Sequence, residues 1–157
     1  PDGTLPVRAA PPRIVLDTNV LLDLWVFADP AVAPLAAALA GGNVQPVRSA
    51  ATDGELRAVL ARAALALPAE RRAQVLHEWS ARAVPVAVTT QVPLRCRDPL
   101  DQKFLELAAA SGARWLVSRD KALLRLAARA PALGFAIVAP AAFGAGPATA
   151  AGQPLPG

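Results

Sequence analysis

Five carboxylates fall where side chains of their type can do chemistry: Asp17, Glu55, the pair Asp98 and Asp101, and Asp120. Asp17 closes a short apolar run, and Asp120 closely follows a second one, so in a parallel sheet both stand at the carboxyl edge, where open α/β sheets bind ligands. Asp98 and Asp101 are three apart at the start of a helical stretch and share a face there. Carboxylates that converge in one cleft repel and raise one another's pKa unless a positive charge sits among them. A divalent cation answers that need, since Mg2+ and Mn2+ prefer oxygen ligands and keep several waters. Such a site can activate a water and neutralise charge developing on a phosphodiester, which is metal-assisted nucleolytic chemistry.

The same residues have structural uses. Asp98 is a good N-cap, with Pro99 in the first helical position and Asp101 at the third, so capping and the helix dipole account for DPLD without any reaction. Thr52 and Glu55 are spaced like a capping box, and Asp120 can cap the helix that begins at Lys121. Asp17 resists that treatment, because a carboxylate that closes a buried strand incurs desolvation unless it is paired or coordinated. Asn19 is either its hydrogen-bonding support or a cap.

Other chemistries fail on spacing. A phosphatase-type DxD pair needs an acid at position 19, which is Asn19, and no GxxxxGK[ST] or GxGxxG follows any strand. The single His77 lies in HEW on a polar helix face, expected to meet solvent, and supplies no Ser–His–Asp set. Cys96 is alone, so it forms neither an intrachain disulfide nor, with His77, a zinc cluster.

The acids must be carried by an alternating chain. RIVLD at 13–17 reads as a buried strand, 19–27 and 31–40 as helices, the second ended by Gly41-Gly42, and 44–48 as a weak strand at best. Helical periodicity covers 49–65 and 68–83. A strand is expected over 84–89, near an edge because of Pro85. A helix over 98–110, a strand over 114–118, a helix over 121–130 and a last strand over 135–138 complete the pattern. Strands alternating with helices predict a three-layer α/β/α sandwich on a mainly parallel sheet.

Size and composition agree. A chain of 157 residues can bury one sizeable core, and residues 13–143 are expected to form it, with a leader over 1–12 and a low-complexity tail over 144–157. The chain is 54% hydrophobic with 38 Ala, yet Pro and Gly interrupt its uncharged stretches too often for a membrane span of roughly 20 apolar residues. With no secretory h-region at the start, the expected compartment is the cytoplasm. A net charge of +4 carried by 14 Arg and 2 Lys suits phosphate contact, although an Arg- and Ala-rich composition alone would give the same balance.

Three segments, IVLDTNVLLDLW at 14–25, CRDPLDQKFLELAAASGARWLVSRDKALL at 96–124 and IVAPAAF at 137–143, together resemble the PIN-domain ribonucleases, specifically the VapC-like toxins of toxin–antitoxin systems. The resemblance implies a Mg2+- or Mn2+-dependent endoribonuclease in which Asp17, Glu55, Asp101 and Asp120 form the acidic quartet. Asp17, Asp101 and Asp120 would hold the metal, Glu55 would ligate it or orient the water, and Asn19, Asp98 and Ser118 would support the cluster. Ser118 stands where the branch commonly has Thr, and Leu100 where an acid is frequent. Cleavage would leave a 5′-phosphate and a 3′-hydroxyl. Arg48, Arg95, Arg97 and Arg119 could line the RNA path, each equally readable as ordinary surface Arg. The resemblance also implies a cognate antitoxin that blocks the site, often with an inserted Arg or a segment that fills the acidic groove, and a homodimer; composition adds that no membrane partner is expected. A non-catalytic PIN-like module that binds RNA or protein is the competing reading.

Overall fold

The computed structural model describes residues 10–143, 150–151 and 153–154. Strand β1 (Arg13–Leu16) is short because it needs only to cross the core. Its pleat sends Ile14 and Leu16 to one hydrophobic cluster and Val15 to the other, and all three are buried. Sequence runs apolar on both faces belong to parallel sheets covered on both sides. The central sheet obeys that rule, with five strands, all parallel, in the order β3-β2-β1-β4-β5. Its other strands are β2 (Gln45–Arg48), β3 (Val84–Pro85), β4 (Trp115–Val117) and β5 (Ala136–Val138).

Among the described residues six α-helices cover it. On one face α1 (Thr18–Trp25), α2 (Ala33–Ala40), α3 (Ala50–Leu60) and α4 (Ala69–Arg82) contribute Val20, Leu35, Leu56 and Trp79 to the cluster around Ile14. On the other, α5 (Gln102–Ser111) and α6 (Lys121–Leu124) bring Phe104, Leu105 and Leu123 against Val15, Leu116 and Ile137. The molecule is therefore the three-layer α/β/α sandwich that the alternation predicts.

Several boundaries differ from expectation. The strand over 44–48 is a full member of the sheet, paired through Ile14↔Pro46 on one side and Val47↔Val84 on the other, despite its proline. The strand expected over 84–89 keeps only Val84–Pro85 at the sheet edge. After the Val86 N–H reaches the Arg48 carbonyl at 2.8 Å the chain leaves, and Val86 and Val88 pack into the second cluster instead. Helix α3 stops at Leu60, ahead of a 3-10 turn at Ala63–Leu65, and α6 at Leu124, where i−3 bonding replaces the helical ladder before the 3-10 turn Ala130–Leu133. Most of the tail expected over 144–157 and of the leader over 1–12 lies outside the described residues; within the tail, Ala150–Ala151 pairs antiparallel with Gln153–Pro154.

Among the described residues no single helix is long and apolar enough to cross a membrane. The apolar pair Thr18–Trp25 and Pro30–Ala40 is bent by 106°, and its Val20, Leu21, Leu35 and Leu39 are core residues.

Strand order locates the site. From β1 the chain builds outward to β2 and β3, then returns to lay β4 and β5 on the opposite side of β1. The winding reverses between β1 and β4, and in doubly wound sheets the crevice beyond the carboxyl ends of such a pair is where ligands bind.

Candidate active site

Two acids come directly from that crevice. Asp17 follows β1 and caps α1, its Oδ1 accepting from the Val20 N–H at 2.9 Å. Asp120 follows β4 and caps α6, its Oδ1 accepting from the Ala122 N–H at 2.7 Å. Two more come from the 3-10 turn Pro99–Asp101 that leads into α5. Asp98 caps that turn through the Leu100 N–H at 3.0 Å, as the proline-led sequence predicts. The fifth, Glu55, stands on α3. The capping box of that helix is formed by Ser49 and Thr52, one turn earlier than the expected Thr52 and Glu55, which leaves the Glu55 carboxylate free for other partners.

All five line one cleft of about 140 Å³, together with Thr18, Asn19, Val59, Arg62, Leu100 and Phe104. Within it Asp98, Asp101 and Asp120 each bring a carboxylate oxygen to within 4.8 Å of the other two. This close triad contains Asp98 where the sequence expectation put Asp17. Asp17 lies deeper, only 4% exposed, with one oxygen committed to Val20 and the other accepting the Ser118 hydroxyl. Ser118 is thus the support at Asp17, whereas Asn19 is exposed on the cleft wall.

The electrostatics follow from packing acids together. Burial pushes the Asp17 carboxyl up from its ordinary value and the Asp120 charge adds to that, against the Ser118 and Val20 hydrogen bonds and Arg119. Asp101 is pushed up to about 7, first by burial and then by the charges of Asp120, Asp98, Asp17 and Glu55. Its Oδ2 is buried with no hydrogen-bond partner among the described residues. A buried carboxylate oxygen without a donor is costly, and a cation among the carboxylates removes both the orphan and the repulsion. An all-oxygen donor set of this kind suits a hard divalent ion.

Glu55 is held from two sides. Thr18 donates its hydroxyl to Oε2, and Lys103 Nζ lies 2.6 Å from Oε1. Neither partner was singled out from the sequence. Thr18 adjoins Asp17, and Lys103 sits in the first turn of α5, where the helix dipole disfavours a cation; that anomaly was the available signal. Arg62, also unforeseen, stands in extended backbone just past the end of α3 and lines the same cleft.

None of the four arginines proposed for an RNA path lines the cleft. Arg48 ties β2 to its surroundings through Asp53 at 2.6 Å and the Ala83 carbonyl at 3.1 Å. Arg95 contacts Gln91 at 2.9 Å and Glu106 at 3.7 Å, and Arg97 is exposed. Arg119 pairs with Asp23 beside the cleft. His77 is exposed and Cys96 buried, neither in the cleft.

A protein-family model described as PIN domain matches residues 13–122, a span that starts at β1 and contains all five acids. A search of curated proteins finds no match.

Proposed function

Because the chain belongs to the PIN-domain family, whose members are typically metal-dependent nucleases, we propose that it is an endoribonuclease dependent on Mg2+ or Mn2+ and the toxin of a toxin–antitoxin pair. The observation that carries the reading is the orphaned Oδ2 of Asp101, buried in a cleft of five carboxylates. Asp98, Asp101 and Asp120 would hold the ion, with Asp17 behind them bearing on it from the end of β1. Bound there, the ion supplies charge neutralisation at the scissile phosphate and lowers the pKa of the attacking water. Glu55, fixed by Thr18 and Lys103, orients that water. The oxygen of that water would join phosphorus as the bond to the 3′-oxygen breaks, the water giving up one proton and the departing 3′-oxygen taking one from solvent, to leave a 5′-phosphate and a 3′-hydroxyl.

The toxin assignment draws on the order of DTN, RDPLD and SRD motifs along the chain, and it brings an antitoxin and a homodimer as proposed partners. An acid-lined cleft with the 68% exposed Leu100 at its wall suits an inserted antitoxin arginine flanked by apolar contact. The test is cleavage of labelled single-stranded RNA with Mg2+ or Mn2+, with EDTA and Asp17→Asn in parallel. Metal-dependent cutting that the variant loses is expected. RNA binding that survives EDTA without cutting would instead make the chain a binding module.

A further inference from the structure

Beside the cleft a buried carboxylate grips an exposed guanidinium. The side chain of Asp23 is 4% exposed and that of Arg119 51%, with Arg119 Nε 2.7 Å from Asp23 Oδ2. Nη2 donates to Oδ1 at 3.2 Å. Burial and the charge of Asp29 both push the Asp23 carboxyl up, and Arg119 is what opposes them. As a device for stability the arrangement is poor, since a half-exposed ion pair contributes little and burying a carboxylate is unfavourable. As a device for orientation it is good. A free arginine side chain samples many rotamers, whereas here Nη2 is hydrogen-bonded to Asp23 Oδ1 and Nε is ion-paired with Oδ2, which holds the guanidinium against α1. The remaining N–H groups, on Nη1 and the outer side of Nη2, keep the planar fork that matches two phosphate oxygens.

The position points the same way. Arg119 lies between Ser118, which bonds Asp17, and Asp120, and its charge acts on Asp17. Asp23 is one helical turn beyond Asn19, which lines the cleft. The guanidinium therefore flanks the acids on the α1 side.

We infer that Arg119 anchors an RNA phosphate adjacent to the one that is cut, and that Asp23 is a positioning residue which holds it for that contact. The inference rests on the nuclease reading for its substrate, and the test separates the two. Binding of a labelled single-stranded RNA to the full chain is measured with Ca2+ over a range of salt, for the wild type, Arg119→Gln, Asp23→Asn, the double variant, and Arg129→Gln as an exposed control of equal charge. Arg119→Gln is expected to weaken binding about tenfold and to lower the salt slope by about one. Arg129→Gln should leave binding unchanged. Asp23→Asn should weaken binding in the wild-type background and have no further effect when Arg119 is already Gln, a coupling that general destabilisation does not produce. Equal losses for Arg119→Gln and Arg129→Gln, or additive losses for Asp23 and Arg119, overturn the inference. Cleavage with Mn2+ is read on the same RNA. Binding that depends on Arg119 without cleavage removes the nuclease reading and leaves the anchor, whereas cleavage indifferent to Arg119 does the reverse.

Discussion

The hydroxyl of Ser118 donates to Oδ2 of Asp17 and accepts from the Asp120 N–H at 2.9 Å, so a single buried oxygen joins the end of β1 to the end of β4. The two residues are 101 positions apart in sequence. They meet because β1 and β4 are parallel neighbours in register, Leu16 opposite Val117. The bond keeps one oxygen of a desolvated carboxylate satisfied and sets the direction in which Asp17 faces the other acids.

Replacing Ser118 by Ala leaves that oxygen without its donor in a fully buried place. We expect a loss of about 1–3 kcal/mol in urea unfolding, the usual result of orphaning a buried polar group. Calorimetric titration with Mn2+ should show affinity down by about 10- to 100-fold, as for other residues that orient metal ligands. Ser118→Thr keeps the hydroxyl and should keep most of the affinity. Unchanged Mn2+ binding in Ser118→Ala would separate Asp17 from the metal.

Asp101→Asn should abolish calorimetric Mn2+ binding and reduce cleavage by about 100-fold or more, because it removes one of three converging oxygens. Without metal the same change should raise the melting temperature by a few degrees near neutral pH, since it removes a charge that burial and four carboxylates disfavour. A functional acid and a merely structural cap diverge here. If the residue only ended a turn, the metal-free protein would lose stability on substitution.

Stability should depend on pH in opposite senses with and without metal. The folded Asp101 carboxyl titrates at about 7 against an ordinary 3.8, and Asp17 is shifted the same way. Between those values the folded protein binds more protons than the unfolded chain, so the stabilisation is complete at low pH and is lost as pH rises through about 7. Metal binding needs the carboxylates ionised, so the stabilisation by Mn2+ should grow over the same interval. Thermal melts in EDTA and in Mn2+, taken from about pH 5 to about pH 8, would diverge upward in pH. Parallel curves would contradict the shared cleft.

Much of this is legible in the residues themselves. Apolar runs punctuated by Asp, Pro and Gly are local signals, so the alternation, the sheet type and the caps at Asp98 and Asp120 followed from sequence, whereas the N-cap that Asp17 supplies to α1 did not. Pairing information is not local. Gln45–Arg48 reads weakly because of Pro46, and only its neighbours β1 and β3 make it a central strand. Glu55 looked like half of a capping box because Thr52 precedes it by three, but Ser49 completes that box. The close triad of Asp98, Asp101 and Asp120 depends on how the turn before α5 meets the loop after β4, a relation that residue spacing does not encode. The Arg119–Asp23 grip is hidden for the same reason.

Lys103 and Thr18 allow the role of Glu55 to be separated from the holding of metal. Both fix its carboxylate, but Lys103 also places a positive charge at the edge of the cleft, whereas Thr18 is neutral. Removing the charge in Lys103→Met deepens the negative potential, so Mn2+ should bind about fivefold tighter, the factor that corresponds to about 1 kcal/mol. The same substitution frees Glu55 to turn, so cleavage at saturating metal should fall by about tenfold or more. Thr18→Val loosens Glu55 without changing charge, and should lower cleavage while leaving Mn2+ affinity near its original value. Affinity and rate therefore move in opposite directions for one variant and independently for the other. Should both variants cleave at the wild-type rate with metal saturating, Glu55 would have no part in orienting the water, and its pairing with Lys103 would be only a bridge between α3 and α5.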